Sequence, residues 1–214
     1  MTAREPAPHS IADFDARAAT WDDDPKKLER ARAVARAIAA SLPARQDMRA
    51  LEYGCGTGLL SFLLRDRFAR MTLADVSDGM LEVARAKVAA TGDGGMEVEK
   101  LDLLADPDSG ERYDVITSLM TLHHIDDTDA ILRRFHEILR PGGYLCIADL
   151  DREDGSFHGA GFSGHKGFDR DDLVDRTRRA GFASAAAHTA HEMNKPVNGA
   201  PRTFPIFLLV AKKA

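Results

Sequence analysis

Short apolar runs alternate along this chain with stretches in which apolar residues recur every three or four positions, and glycine, proline or acidic residues stand at most changes of pattern. The runs Leu51–Tyr53, Met71–Ala74, Met96–Leu101, Tyr113–Leu119 and Tyr144–Leu150 read as buried strands. Helical spacing appears between them. Leu28, Ala31, Ala35, Ile38 and Leu42 share one side of a helix that Asp22-Asp23-Asp24-Pro25 starts and Pro43 ends. Leu59 to Phe68 and the stretch from Gly79 to about Ala90 form two more, the latter capped by Ser77 or Asp78. Ile131, Leu132, Phe135, Ile138 and Leu139 mark a fourth, capped by Asp126 or Asp127 and stopped by Arg140-Pro141-Gly142-Gly143. A last helix spans Asp169 to Ala180, and Ala183–Glu192 and Thr203–Lys212 are two further strands. Asn198-Gly199 signals a turn between them, within a connection read as longer than a two-residue hairpin.

The most informative stretch is Leu51-Glu52-Tyr53-Gly54-Cys55-Gly56-Thr57-Gly58-Leu59: strand, tight turn, helix. Glycines at alternate positions permit positive φ and close approach to a ligand. In a doubly wound α/β sheet such a turn lies at the carboxyl edge, where ligands bind. Asp75 ends the next strand about 20 residues on, where an acid can accept from ribose hydroxyls. The spacing GxGxG departs from the dinucleotide pattern GxGxxG, because Leu59 occupies the third-glycine position. Three such glycines also suit a purely structural turn.

With Glu52 before the turn and Asp75 after it, the chain resembles the class I S-adenosylmethionine-dependent methyltransferases, in their small-molecule branch. Leu139–Leu150 (LRPGGYLCIADL) is similar to that family's fourth helix, turn and fifth strand. The resemblance implies a seven-stranded, mostly parallel sheet in the order 3-2-1-4-5-7-6, strand 7 antiparallel, with helices on both faces. It implies S-adenosylmethionine as cofactor and a small-molecule acceptor. The cofactor is expected to meet Trp21, Glu52, Tyr53, Gly54, Gly56, Gly58, Asp75, Val76, Met80, Asp102, Leu103 and Ser118. Val76 and Met80 would sandwich the adenine, Asp102 would accept from its amino group and a backbone N–H there would donate to its ring. Met80 as helix core, Trp21 as core and Asp102 as a turn residue are the alternatives. Amino-methylating nucleic-acid enzymes of this fold carry Asp or Asn and two prolines after the fourth strand; Ser118-Leu119-Met120 stands here, so no nucleic-acid acceptor is expected.

The sequence Leu122-His123-His124-Ile125 follows that strand, and a glycine-rich loop from 150 to 168 carries His158 and His165. His123, His124 and His165 are the candidate catalytic residues, since imidazole titrates near neutral pH. One of the adjacent pair is expected to be structural, because neighbours in an extended segment face opposite ways. The acceptor atom, whether O, N, C or S, is open. No metal site is expected: Asp149 and Asp151 follow the fifth strand, but metal-dependent catechol methylation also needs an acid where Ser118 stands.

Composition narrows the rest. A chain of 214 residues, 44% hydrophobic, suits one core, read as a single domain over 1–214 with a disordered tail at 1–10, an amino-terminal helical cover at 11–43 and a lid-like loop at 150–168. A net charge of −5 gives no reason to expect a nucleic-acid or membrane partner. The two cysteines, no apolar run of membrane-spanning length and the polar start suggest a cytoplasmic chain without disulfides or membrane insertion. Two rivals stay open: a catalytically silent module on the same fold, and a nicotinamide-dependent oxidoreductase, for which neither the spacing nor a Tyr-Lys pair is present.

Overall fold

The computed structural model describes residues 9–43, 47–92, 94–106, 110–159 and 161–214. Most of the expected tail lies outside them, as do parts of two turns that the sequence signals at Gly92-Asp93-Gly94-Gly95 and Asp106-Pro107-Asp108-Ser109-Gly110. Residues 9 and 10 do not: Ser10 caps the first helix, its hydroxyl accepting from Asp13 N–H.

Seven strands form one sheet: β1 Arg49–Tyr53, β2 Arg70–Asp75, β3 Met96–Lys100, β4 Tyr113–Leu119, β5 Leu139–Leu150, β6 Ser184–Val197 and β7 Ala200–Lys212. Their order is β3-β2-β1-β4-β5-β7-β6, with β7 antiparallel to both neighbours, as the family resemblance implies. The helices are α1 Ile11–Arg17, α2 Pro25–Ser41, α3 Leu59–Leu64, α4 Asp78–Thr91, α5 Thr128–Ile138 and α6 Arg170–Arg179. Val34 and Ile38 of α2, Leu60 and Leu64 of α3 and Leu81 of α4 bury one sheet face. Ile131, Leu132 and Phe135 of α5 and Leu173 of α6 bury the other. Strands buried on both faces need apolar side chains at successive positions, which is why β4 and β5 read as runs without alternation.

The helix entrances follow from their caps. Asp24 accepts from Lys26 N–H ahead of Pro25, Ser77 from Met80 N–H, Asp127 from Ala130 N–H, and Asp169 from Asp171 and Asp172 N–H. Three boundaries differ from expectation. The first helix tightens after Arg17 into a 3-10 segment, Ala18–Asp23, and α3 does the same over Arg65–Arg67 instead of reaching Phe68. Pairing of β5 begins at Leu139, opposite Tyr113, so Pro141-Gly142-Gly143 lies inside a strand. The register shifts beside it, and Asp114 there accepts from Arg49 N–H and Arg140. A Cβ on Gly143 would sit 2.8 Å from Arg140 O and 3.0 Å from Asp114 O.

A further difference is the β6–β7 connection, which is a two-residue hairpin: Val197 pairs with Ala200 across Asn198 and Gly199. Both central residues have positive φ, 50° and 82°, the geometry whose twist matches the flanking strands. The prolines at 196 and 201, which made the strands look shorter, face each other across the ladder. No helix among the described residues is long and apolar enough to cross a membrane. Cys55 and Cys146 are buried and free.

A Cβ at position 199 would meet nothing within 4 Å, so Gly199→Ala tests backbone conformation alone. It should lower stability by about 1–2 kcal/mol, read as a shifted denaturant midpoint with an unchanged slope.

Candidate functional site

The carboxyl ends of β1, β2 and β4 open onto a cavity of about 520 Å³, a size suited to a small ligand. Its floor is the glycine turn. Gly54, Gly56 and Gly58 have φ of 73°, 54° and 86°, which a side chain would strain. Gly54 and Cys55 N–H both donate to Ala74 O, tying the turn to β2. A Cβ on Gly54 would fall 2.2 Å from Thr121 Cγ2, so glycine there serves packing as well as conformation.

Asp75 fastens the same corner. Its Oδ2 accepts from Gly56 N–H at 2.8 Å, and its Oδ1 from Val76 and Ser77 N–H at 2.8 and 2.9 Å. Of the carboxylate's roughly four lone-pair positions, these leave about one, on Oδ2, for a ligand. Burial raises the Asp75 pKa, partly offset by those N–H groups. Glu52 is more deeply placed, 2% exposed, and accepts from the Ser61 N–H at 2.8 Å and from the Ser61 hydroxyl. Burial pushes its pKa up to about 8.

The amino-terminal segment closes one side. Asp15 Oδ1 accepts from Ser77 Oγ and Gly79 N–H at 2.6 and 2.9 Å, holding α1 on the start of α4. Asp22 takes the Thr57 hydroxyl at 2.5 Å and Lys87 at 2.8 Å, holding the 3-10 segment on the glycine turn. These two acids bring Phe14 and Trp21 to the cavity, rings 5.8 Å apart. A Cβ on Gly56 would lie 3.9 Å from both Trp21 Nε1 and Met80 Sδ, so three cofactor candidates converge there. Lys27 Nζ sits 3.5 Å above the Trp21 ring and donates to its carbonyl. Arg30 of α2 also lines the cavity; burial lowers its pKa, and its Nε has no hydrogen-bond partner among the described residues.

The histidines gather at the β4–β5 end. His123 Nδ1–H donates to Asp149 Oδ1 at 2.6 Å, with both side chains essentially inaccessible. Burial alone would raise the Asp149 pKa; His123 and the N–H groups of His123 and Leu150 outweigh it, so the net shift is downward. His124 faces the cavity, its ring 4.1 Å from that of His123. His158, from the loop after β5, lies 4.8 Å from His123 and stacks on Phe162 at 3.9 Å. Burial, then neighbouring imidazoles, lower His124 and His158 to about 3. Both are neutral bases at physiological pH.

The structure therefore brings together Trp21, Glu52, Tyr53, Gly54, Gly56, Asp75, Val76, Met80 and Asp102 around one cavity. Gly58, Leu103 and Ser118 do not line it. Gly58 is the left-handed cap of α3, the Leu103 N–H donates to Tyr53 Oη, and the Ser118 hydroxyl donates to Tyr53 O. Leu101 and Leu104 flank the cavity in place of Leu103. Asp102 Oδ1 closes a turn by accepting from Leu104 and Ala105 N–H, which leaves Oδ2 for a ligand. Of the candidate catalytic histidines, His124 alone lines the cavity. His165 does not: its Nε2 donates to Ile125 O at 3.0 Å and its backbone N–H to His123 O. Asp151, weighed with Asp149 as a metal ligand, is held by the Arg170 guanidinium through two bonds of 2.6 Å.

Sequence reasoning missed His9, Asp15, Asp22 and Arg30. Arg30 directly precedes the buried Ala31 on its helix, a cation beside an apolar stripe, and that was a usable signal. His9 carried none, since it stands in a polar, proline-bearing stretch.

Residues 26–190 match a family model described as a methyltransferase domain. A ubiquinone biosynthesis O-methyltransferase from Alkalilimnicola ehrlichii is 30% identical over 167 residues, covering 73% of this chain and 65% of that protein. A biotin biosynthesis bifunctional protein from Bordetella avium is 38% identical over 126 residues, 58% of this chain and 26% of that one. The chain thus spans less than two thirds of the length of these curated relatives. Among solved structures, an S-adenosylmethionine-dependent methyltransferase from Thermotoga maritima superposes with a TM-score of 0.67 at 19% identity, over 94% of this chain and 100% of that one. The [4+2]-cyclase SpnF does so at 0.66 and 15%, over 100% and 99%. Likeness at that identity concerns the fold alone.

Glu52 carries a pH signature. Its folded pKa of about 8 lies above the ordinary 4.5, so the folded chain keeps a proton that the unfolded chain releases. Stability should fall as pH rises through that window and be unaffected below it. In Glu52→Gln that fall should disappear. Melting temperatures of the two proteins, scanned from about pH 5 to 8.5, should diverge in favour of the variant; parallel curves would mean that Glu52 is ionised throughout.

Proposed function

The chain belongs to the methyltransferase domain family, and from that premise we propose that it transfers the methyl group of S-adenosylmethionine to a small-molecule acceptor. The observation that carries the reading is the corner where Asp75 binds the Gly56 N–H beside Met80 and Trp21. The Asp75 Oδ2 lone pair suits a ribose hydroxyl. Val76, Met80, Leu101 and Leu104 offer apolar contact to an adenine, with Asp102 Oδ2 beside them for its amino group. The printed name of the Alkalilimnicola relative, an O-methyltransferase of ubiquinone biosynthesis, is in keeping with a small acceptor.

Methyl transfer from a sulfonium is an in-line displacement: the acceptor's electron pair forms the bond to carbon while the carbon–sulfur pair returns to sulfur. No enzyme-bound methyl is needed, so positioning and exclusion of water supply most of the acceleration. The segment at 11–43 would serve as a cover over the cofactor, and Phe14 and Trp21 would present ring faces to the sulfonium, a contact of about 0.5–2 kcal/mol. The loop at 150–168 contributes Phe162, Ser163 and Gly164 to the wall and would act as the lid. His124, on the wall, would contact the acceptor as a neutral imidazole; with its pKa lowered to about 3 it is a weak base, so its part is to position the acceptor rather than to hold its proton.

Calorimetry should find about one S-adenosylhomocysteine bound per chain, and no heat with NADH. Asp75→Ala should weaken that binding about tenfold or more, as a hydrogen bond to a charged acceptor contributes about 1.5–3 kcal/mol and the turn loses its tie. Binding of NADH alone would overturn the reading. Unchanged affinity in the variant would remove Asp75 from the site.

Hydrogen exchange should slow on binding in residues 11–23 and 155–167, if these cover the ligand. Equal rates with and without ligand would assign both segments to the static wall.

A further inference from the structure

We propose that His123, His124 and His158 form a site for one divalent cation of the zinc type at the edge of the cofactor cavity, with a coordination position left for the acceptor. The three residues each offer a ring nitrogen, and these atoms lie within 4.8 Å of one another. They come from two segments, the 3-10 turn after β4 and the loop after β5, which β4–β5 pairing brings side by side.

Three details of the cluster fit a cation better than an ordinary buried polar group. His123 is already oriented as a ligand: Nδ1 is committed to Asp149 at 2.6 Å, so Nε2 is the atom available. A carboxylate behind a ligating imidazole fixes its tautomer and raises its basicity. The Nδ1 atom of His158 is buried without a hydrogen-bond partner among the described residues, a cost that coordination would remove. The rings of His124 and His158 lie 4.1 and 4.8 Å from that of His123, so the three imidazoles already form one compact group. Tetrahedral zinc places its nitrogen ligands about 3.3 Å apart, so from a span of 4.8 Å the nitrogens must close by up to about 1.5 Å. His158 is the ligand that stands on a loop rather than at the end of β4, so the shift falls to it. Asp149 belongs to the second layer and Asp151 to Arg170, so the donor set is nitrogen-based and favours zinc over magnesium or calcium.

Three protein ligands leave a fourth position, as in catalytic zinc sites. His124 places the cation against the cavity wall, where an acceptor's hydroxyl or thiol would ligate it. This part of the inference rests on the methyl-transfer reading; cation binding itself does not. Coordination lowers the acceptor's pKa, and its proton leaves to solvent. The resulting anion's electron pair forms the new bond to the methyl carbon as the carbon–sulfur bond breaks, yielding the neutral thioether. The acceptor class is then an alcohol, phenol or thiol rather than an amine.

The test uses tag-free, full-length protein stripped with a chelator and titrated with Zn²⁺ in competition with a chromogenic chelator, with Co²⁺ as a spectroscopic probe. Wild type and His188→Ala, altered at an exposed histidine on β6, should each bind about one Zn²⁺ and give the visible absorption of tetrahedral Co²⁺. His158→Ala should lose at least tenfold to a hundredfold in Zn²⁺ affinity. His124→Ala provides the same comparison if His158→Ala does not fold, as judged by its melting transition. The inference is overturned if wild type competes no better than buffer, if both cluster variants bind like wild type, or if His188→Ala loses as much as they do. S-adenosylhomocysteine calorimetry on the same samples keeps the two readings apart. Cofactor binding without Zn²⁺ binding removes only the cation site, and Zn²⁺ binding without cofactor binding removes only methyl transfer.

Discussion

The glycine-turn side of the candidate site hangs on the carboxylate of Asp75. It ends β2 and reaches sideways to the turn that follows β1, accepting from Gly56 as well as from Val76 and Ser77 of its own chain segment. Two parallel neighbours, paired from Arg49↔Arg70 to Tyr53↔Ala74, are thereby locked together at the end where their chains diverge toward α3 and α4. A half-buried carboxylate is unfavourable unless its lone pairs are used, and three N–H groups use most of them. The lone pair left over, on Oδ2, is the one that the proposed ribose contact would use. In that proposal one carboxylate both ties the turn and meets the cofactor.

A second buried acid organises the opposite side. Asp149 holds His123 at the end of β4, and the β5 residues that continue from it carry the chain into the glycine-bearing loop. That loop is pinned at its base by Arg152 N–H to Phe168 O, Phe168 N–H to Leu150 O and His165 N–H to His123 O. Glycine is required at 167, where a Cβ would fall 2.1 Å from Asp151 O. The loop thus returns over the β4 end with Phe162 and His158 facing inward. His165, which looks like a lid histidine in the sequence, is spent on holding the loop to the Ile125 carbonyl.

The amino-terminal helices meet the sheet through acids that composition would assign to solvent. Asp15 and Asp22 have partners on α4 and the glycine turn, and each contact is short. A run of three aspartates ahead of a proline serves two purposes: Asp24 caps α2, while Asp22 bridges Thr57 and Lys87. The pattern alone supports only the first, because capping is local and bridging is not.

The sequence by itself determined the elements, the glycine turn, the acid that ends β2 and, through family resemblance, the strand order. These depend on periodicity, capping and turn chemistry, which act over a few residues. It also carried the cavity's core set: Gly54, Gly56 and Asp75 through their spacing within a βα unit, and Trp21, Glu52, Val76, Met80 and Asp102 through the family resemblance. The β6–β7 hairpin was partly legible, in Asn198-Gly199, but prolines on both sides hid its length. Only the tertiary structure decided which histidine turns inward, that Asp149 is committed to His123 26 residues away, and that Asp22 meets Thr57 across 35. Side-chain roles of that kind are set by strand register and by burial, quantities that exist only once distant segments have packed against one another.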